Sequence, residues 1–345
     1  MILEQNDKRH SKGLYYKLLM IFLMTLSLLG LVMLSSCEKK EPLWELPPPG
    51  DEVIAQAAMG ETYDNTVFFK FKTSNKIERN VNVFHLAFQS SHQGFSVRVN
   101  GGKNVQVFNT HSINFDELLT ASASTQWGYD SPDGNPDSTA VGNWLVSSET
   151  RQSKLEVYII DLGTGATPKY RKFQLLQVSD TSYSIRHANL DNSDEKQTTF
   201  AKSAIATFTY FDFTTNTTVS YEPAPHEYDI VFTKYKHIFF QEEGILHYSV
   251  NGALLNPVHT MAAKTDSSNF ALVNYSSTTS AVFTQAINTI GYDWKVYDLD
   301  NNKYSVIPKI YIVKDADETL WKLEFIDFYN DAGIKGFPKF RYQRL

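Results

Sequence analysis

Residues Ala206–Asn256 read ATFTYFDFTTNTTVSYEPAPHEYDIVFTKYKHIFFQEEGILHYSVNGALLN. The aromatic run Tyr210-Phe211-Asp212-Phe213 leads into a polar turn, Thr214-Thr215-Asn216. A short strand pattern follows at Tyr228-Asp229-Ile230-Val231-Phe232, then an alternating strand that closes on Val250-Asn251-Gly252. The stretch Asn65–Gly102 repeats this order with Phe68-Phe69-Lys70-Phe71, Thr73-Ser74-Asn75, Phe84-His85-Leu86-Ala87-Phe88 and Val99-Asn100-Gly101. The echo continues downstream. Leu155–Ile160 matches Pro308–Val313, Tyr170–Leu175 matches Leu320–Phe325, and Ile185-Arg186-His187 matches Phe340-Arg341-Tyr342. Offsets that drift only slightly, as loop insertions produce, predict a tandem duplication.

Period-two alternation in Phe95–Val99 and Leu246–Val250 predicts half-buried strands. Lys309–Val313 and Leu320–Phe328 read as a hairpin around Asp315–Glu318, with a counterpart in Leu155–Ile160 and Tyr170–Val178. Helix signals are confined to one or two turns at Phe115–Ala121 and Ala281–Asn288, capped by Asn114 and Ser280. The Asp-, Gly-, Asn- and Pro-rich segment Trp127–Asp137 reads as turns; its prolines break the ligand spacing that a calcium loop needs. The expected fold is all-β, with two tandem antiparallel domains at 54–200 and 201–345.

The chain has 345 residues, a net charge of −6 and 14% aromatics, without a run of Lys and Arg beyond its N-terminal segment. A nucleic-acid partner does not fit that balance. Residues 1–36 read as a signal peptide: Lys8, Arg9, Lys12 and Lys17 precede the apolar run Leu18–Leu34. Leu34-Ser35-Ser36-Cys37 resembles a bacterial lipobox, which predicts acylation (palmitate among the chains) at Cys37, the one cysteine present. Residues 37–53, with four prolines and flanking charge, read as an extended tether. Glu38 after the cysteine favours the outer membrane, with the cell surface as one option, over inner-membrane retention. HExxH, GxSxG and Walker-type signatures are absent from the sequence, and no enzyme is predicted.

These residues together resemble the HmuY family of Bacteroidetes haem-binding lipoproteins. The resemblance rests on Tyr228–Phe232 with Thr233-Lys234-Tyr235, on the hairpin Tyr311–Lys314 and Trp321–Phe328, and on the ending Lys335–Tyr342. The second half is the closer match; the first half reads as a diverged copy. What the resemblance implies is two HmuY-like domains, capture of haem or a related porphyrin by axial His or Met ligands, and transfer to an outer-membrane receptor of the TonB-dependent type. It also places one ligand shortly after a tryptophan, yet Lys295–Asp300 follow Trp294 and Leu145–Glu149 follow Trp144, with neither His nor Met among them.

Haem iron needs a side chain with an available lone pair. His259 and Met261 stand in a loop after the second Val-Asn-Gly strand, and His111 in what reads as the matching loop of the first half. These three are the candidate haem ligands. His85 reads as a core histidine, and His237 and His247 as exposed strand positions. The competing expectation is an interaction module that has lost haem ligation and binds a receptor or a glycan.

Overall fold

The computed structural model describes residues 15–24 and 48–345. Cys37, most of the signal peptide and most of the tether lie outside the described residues. Residues 15–24 are helical, and among the described residues no helix is long and apolar enough to cross a membrane. Residues 48–345 form one compact unit.

That unit is predominantly β, with antiparallel strand pairing and a few short 3-10 turns. Two larger sheets carry the backbone of two cores. One has the order Val53–Gln56, Lys335–Arg344, Leu320–Tyr329, Ile310–Lys314, Met261–Lys264. The other contains Lys196–Ala201, Ser182–Ala188 and Tyr170–Val178, with Val157–Asp161 and Gln106–Asn109 on the far side. Two four-stranded sheets and a two-stranded one, Lys295–Asp298 with Lys303–Val306, complete the sheets of the described residues. In one four-stranded sheet, Thr217–Val219, Phe208–Asp212, Leu86–Gln89 and Val97–Val99 are neighbours; in the other, Gly244–Leu255, Ile230–Gln241, Asn65–Lys70 and Asn75–Asn80. Both predicted hairpins form, Ile310–Lys314 with Leu320–Tyr329 and Val157–Asp161 with Tyr170–Val178.

Alternation along the aromatic strands builds both cores. Phe69 and Phe71 point into a core with Phe232, Trp294, Phe325, Phe340 and Tyr342. Phe211 and Phe213 point into a second core with Phe88, Trp144, Tyr158, Phe173 and Ile185. Each of these buried rings contributes about 1.5–3 kcal/mol of apolar transfer. The intervening Phe68 and Tyr210 face the other way and meet at the seam between the four-stranded sheets.

The boundary expected between residues 200 and 201 does not divide these cores. The first core combines residues 57–71 with 230–342, and the second is built from the continuous stretch 86–213. One lobe is therefore nested within the other. Strand pairing follows the same division: Asn65–Lys70 pairs with Ile230–Gln241, and Phe208–Asp212 pairs with Leu86–Gln89, each across the expected boundary.

Contacts recur between the lobes. Asn100 Nδ2 donates to the carbonyls of Val81 (2.6 Å) and Phe84 (3.0 Å); Asn256 Nδ2 donates to those of Pro225 (2.6 Å) and Tyr228 (2.9 Å). Asn256, not Asn251, thus holds the place of Asn100, and the Val-Asn-Gly echo was out of register by five residues. Lys172 Nζ donates to the carbonyls of Phe115 and Glu117, and Lys322 Nζ to those of Phe270 (2.8 Å) and Val273 (2.9 Å). Arg186 lies over Phe115 at 4.1 Å and Arg341 over Phe270 at 4.3 Å.

The helical turns expected at Phe115–Ala121 and Ala281–Asn288 do not form. Lys172 takes carbonyls that the first would need. In the second, Thr284 bridges Ala262, and Ile287 accepts from the Leu255 amide and donates its own amide to the Asp133 carbonyl. Segment Trp127–Asp137 is made of turns, as read, and its carboxylates serve its own architecture. Asp130 accepts from the Val99 and Ala140 amides at 2.9 and 2.8 Å, and Asp133 from the Asn135 amide at 2.9 Å.

Candidate functional site

The seam between the lobes holds two cavities that share Arg98, Phe208 and Pro257. The inner one, about 210 Å³, is aromatic. Phe68 packs edge-on against Tyr228 (4.9 Å), and Phe84 lies 4.7 Å from both Tyr210 and Tyr221. Glu222 is buried there, accepting from the hydroxyls of Tyr228 (2.7 Å) and Tyr210 (3.2 Å) and from the Phe208 amide (3.1 Å). Burial raises its pKa against these hydrogen bonds. The chamber is smaller than the roughly 300–1,000 Å³ that small-molecule sites occupy.

The outer cleft, about 790 Å³, falls within that range. Its first wall is the loop after Leu86–Gln89, bearing His92. Lys202 fastens this loop by donating to the carbonyls of Ser91 (2.8 Å), His92 (3.3 Å) and Gly94 (2.7 Å). Burial, with Arg151 nearby, pushes its pKa down to about 8. Arg98 donates to the Gly134 carbonyl and lies 5.2 Å from the Phe208 ring centre. The opposing lobe contributes Pro225, Pro257 and Val258. His226 and His259, both exposed, each stand one residue from that wall.

The candidate ligands separate on this frame. His259 is exposed and follows Val258, a cleft residue, without itself lining the cleft. Met261 is half-buried at the start of Met261–Lys264, opposite Lys314, and does not line it. His111 is exposed on the other lobe, with Nδ1 3.3 Å from Glu156. Nor do His111 and His259 occupy matching loops. The Thr110 amide donates to Val157 and the Thr265 amide to Ile310, so Asp266 is the residue equivalent to His111. His92 went unmarked in the sequence because its loop, Ser90–Gly94, carries no periodicity; only the fold brings it to the second lobe.

Other histidines are structural. His85 is buried between Asp212 and Lys103, as a core histidine should be. His187 is buried against Arg171 and Asn216, and burial holds its pKa down at about 4. His237 and His247 are not the exposed strand residues expected. His237 packs on Tyr292 at 4.8 Å, and His247 stacks on Tyr129 at 4.3 Å. After Trp294, the place where the resemblance puts a ligand is filled by Lys295. This lysine is buried, donates to the Asn251 carbonyl at 2.7 Å, and has its pKa pushed down to about 7 by burial.

The family model for the HmuY protein matches residues 204–342. Among solved structures, apo PinO from Porphyromonas gingivitis is 11% identical over 86% of this chain and 97% of its own, with a TM-score of 0.27. The apo HmuY analog TFO of Tannerella forsythia is 10% identical over 86% and 98%, TM-score 0.24. A Bacteroides vulgatus protein described as HmuY-like and heme binding is 11% identical over 84% and 90%, TM-score 0.23. No curated protein matches the chain. The likeness rests on the sequence match: residues 204–342 are similar to the HmuY family.

Proposed function

We propose that this protein binds haem or a related porphyrin in the cleft between its lobes, as a membrane-anchored carrier for uptake. The observation that carries the reading is a cleft of about 790 Å³ with His92 in one wall and Val258, the residue before His259, in the other, in a chain whose residues 204–342 match the HmuY family model. Neutral imidazole is a suitable iron ligand. His92 and His259 would hold the metal, and Arg98 and Lys202 supply positive charge for carboxylate substituents. The lining is less aromatic than expected, with Phe208 its one aromatic side chain. Lipid attachment at Cys37, outer-membrane placement and delivery to a TonB-dependent receptor belong to the same proposal.

Titration of haemin into residues 48–345 tests it. The expected result is saturation at one equivalent with a six-coordinate low-spin spectrum, abolished by His92→Ala or His259→Ala and unchanged by Met261→Ala or His111→Ala. Absence of a saturable spectrum refutes the reading. It would favour the interaction module instead, to which the buried Lys295 after Trp294 already lends support.

A further inference from the structure

Two segments of this chain could occupy the same two seats. Residues 53–80 supply a strand and a hairpin; residues 196–219 supply their equivalents. Each set adds to a large sheet and to a receiving strand. Val53 pairs with Tyr342, and Lys196 with His187. Phe69 pairs with Ile230, and Phe211 with Leu86. The registers are equivalent, since Phe69 precedes Phe211 by 142 residues and Leu86 precedes Ile230 by 144. On shape alone, residues 53–80 could sit on the first lobe's Leu86–Gln89 and residues 196–219 on Ile230–Gln241. That arrangement is the plain tandem one.

Charge distinguishes the alternatives. Lys70 Nζ is 2.7 Å from Asp229 Oδ1, and the Phe71 amide donates to Asp229 Oδ2 at 2.8 Å. At the equivalent place in the other seat, Asp212 Oδ1 is 2.8 Å from His85 Nδ1, whose Nε2 lies 2.8 Å from Lys103 Nζ; the Phe213 amide is 3.2 Å from that same Nδ1. The two pairs have opposite polarity. In the tandem arrangement Lys70 would face His85 and Lys103, while Asp212 would face Asp229. Both seats would then bury like charges, which costs several kcal/mol per uncompensated ion.

We infer that this inverted polarity selects the nested topology by excluding residues 53–80 from the first lobe. The exclusion acts when it is needed, because those residues are made before either seat and the first lobe is completed before the second. The device differs from an ordinary salt bridge: its attraction is spent equally in both seats, and its discrimination comes from the repulsion in the wrong one.

The test uses the full chain with Cys37→Ser, the one native cysteine removed. Lys72 and Asp317 form an exposed pair at 3.1 Å across the correct seat. Cysteines at 72 and 317, joined by a short bismaleimide, report nesting. Thr164 follows Val157–Asp161 at the remove by which Asp317 follows Ile310–Lys314, so cysteines at 72 and 164 report the tandem arrangement. After refolding from denaturant, the unaltered polarity should give the 72–317 product alone. Lys70→Asp with Asp229→Lys keeps an attractive pair in that seat but makes the polarity of both seats the same. The 72–164 product should then rise from absent to a yield comparable with 72–317. If this variant does not fold, the mirror exchange, Asp212→Lys with His85→Asp, equalises the polarity from the other seat and carries the same expectation. Persistence of 72–317 as the sole product in the variant that folds overturns the inference, as does a 72–164 product with native polarity.

Discussion

Acid should act on this fold through groups of opposite sign, among them His187, fully buried, and Asp130, half-buried; Glu222 and Asp229, raised by burial, share the sign of Asp130. His187 is fully buried, and its pKa falls from 6.5 to about 4 through burial. Between those values the unfolded chain binds a proton that the folded chain refuses, so stability is lost as pH falls. The displacement corresponds to roughly 3 kcal/mol. Asp130 behaves conversely. Burial, opposed by the Ala140 and Val99 amides and by Arg98, raises its pKa from 3.8 to about 6. Between about pH 6 and 3.8 the folded chain binds the proton first, and stability is gained on acidification by roughly 3 kcal/mol. His85, lowered by burial, shares the sign of His187. The two large effects oppose each other, so the native profile between pH 6 and 4 is shallower than either group alone would give. Urea unfolding at half-unit steps from pH 7 to 4 would measure this. His187→Gln should flatten or reverse the acid loss, and Asp130→Asn should steepen it. Baseline stabilities will differ because both variants disturb hydrogen bonds, so the slope is the readout. Equal slopes in the two variants would refute the assignment of opposite signs.

Two further outcomes follow from packing. Lys322→Met should destabilise by about 1–3 kcal/mol per carbonyl left unpartnered at Phe270 and Val273, measurable in urea, with Lys172→Met giving a comparable loss in the other lobe. Trp294→Ala should cost about 3–5 kcal/mol, because the indole stacks at 3.9 Å on Phe325 in the core; thermal unfolding with no loss of midpoint would contradict that.

Much of the β-architecture was legible because alternation is a local property. Phe68-Phe69-Lys70-Phe71 and Tyr210-Phe211-Asp212-Phe213 sort one residue to the seam and two to a core, and neither needs its neighbours to be known. The helical turns failed for a reason no local pattern contains: Lys172, more than fifty residues downstream, takes the carbonyls of Phe115 and Glu117. Strand partners were illegible for a related reason. Phe69 is attracted as well by Leu86 as by Ile230 on hydrophobic grounds, and the polar residues beside them, Lys70, His85, Asp212 and Asp229, make the choice. Those four residues were in view, but their meaning depends on comparing two seats at once. The Val-Asn-Gly echo misled because three small-to-medium residues recur by chance, whereas the side-chain hydrogen bonds of Asn100 and Asn256 define the register.

The asymmetry between the lobes bears on why one ligand per chain is proposed instead of two. With Asn256 in the place of Asn100, His259 holds the position of Lys103. His259 is exposed, whereas Lys103 is buried with its ammonium on His85. The first lobe therefore has no counterpart of His259 to offer at that position. His92 is likewise particular to the first lobe. It stands in the short loop joining Leu86–Gln89 to Val97–Val99, where the second lobe has the long hairpin of Ile230–Gln241 and Gly244–Leu255. Each lobe thus has a histidine at a position where the other lacks one, and the proposed site would draw on both across the seam. A site of this kind requires the lobes to be held in one arrangement. The nested topology meets that requirement, because residues 53–80 and 225–345 enclose the first lobe in sequence and fix both of its ends to the second.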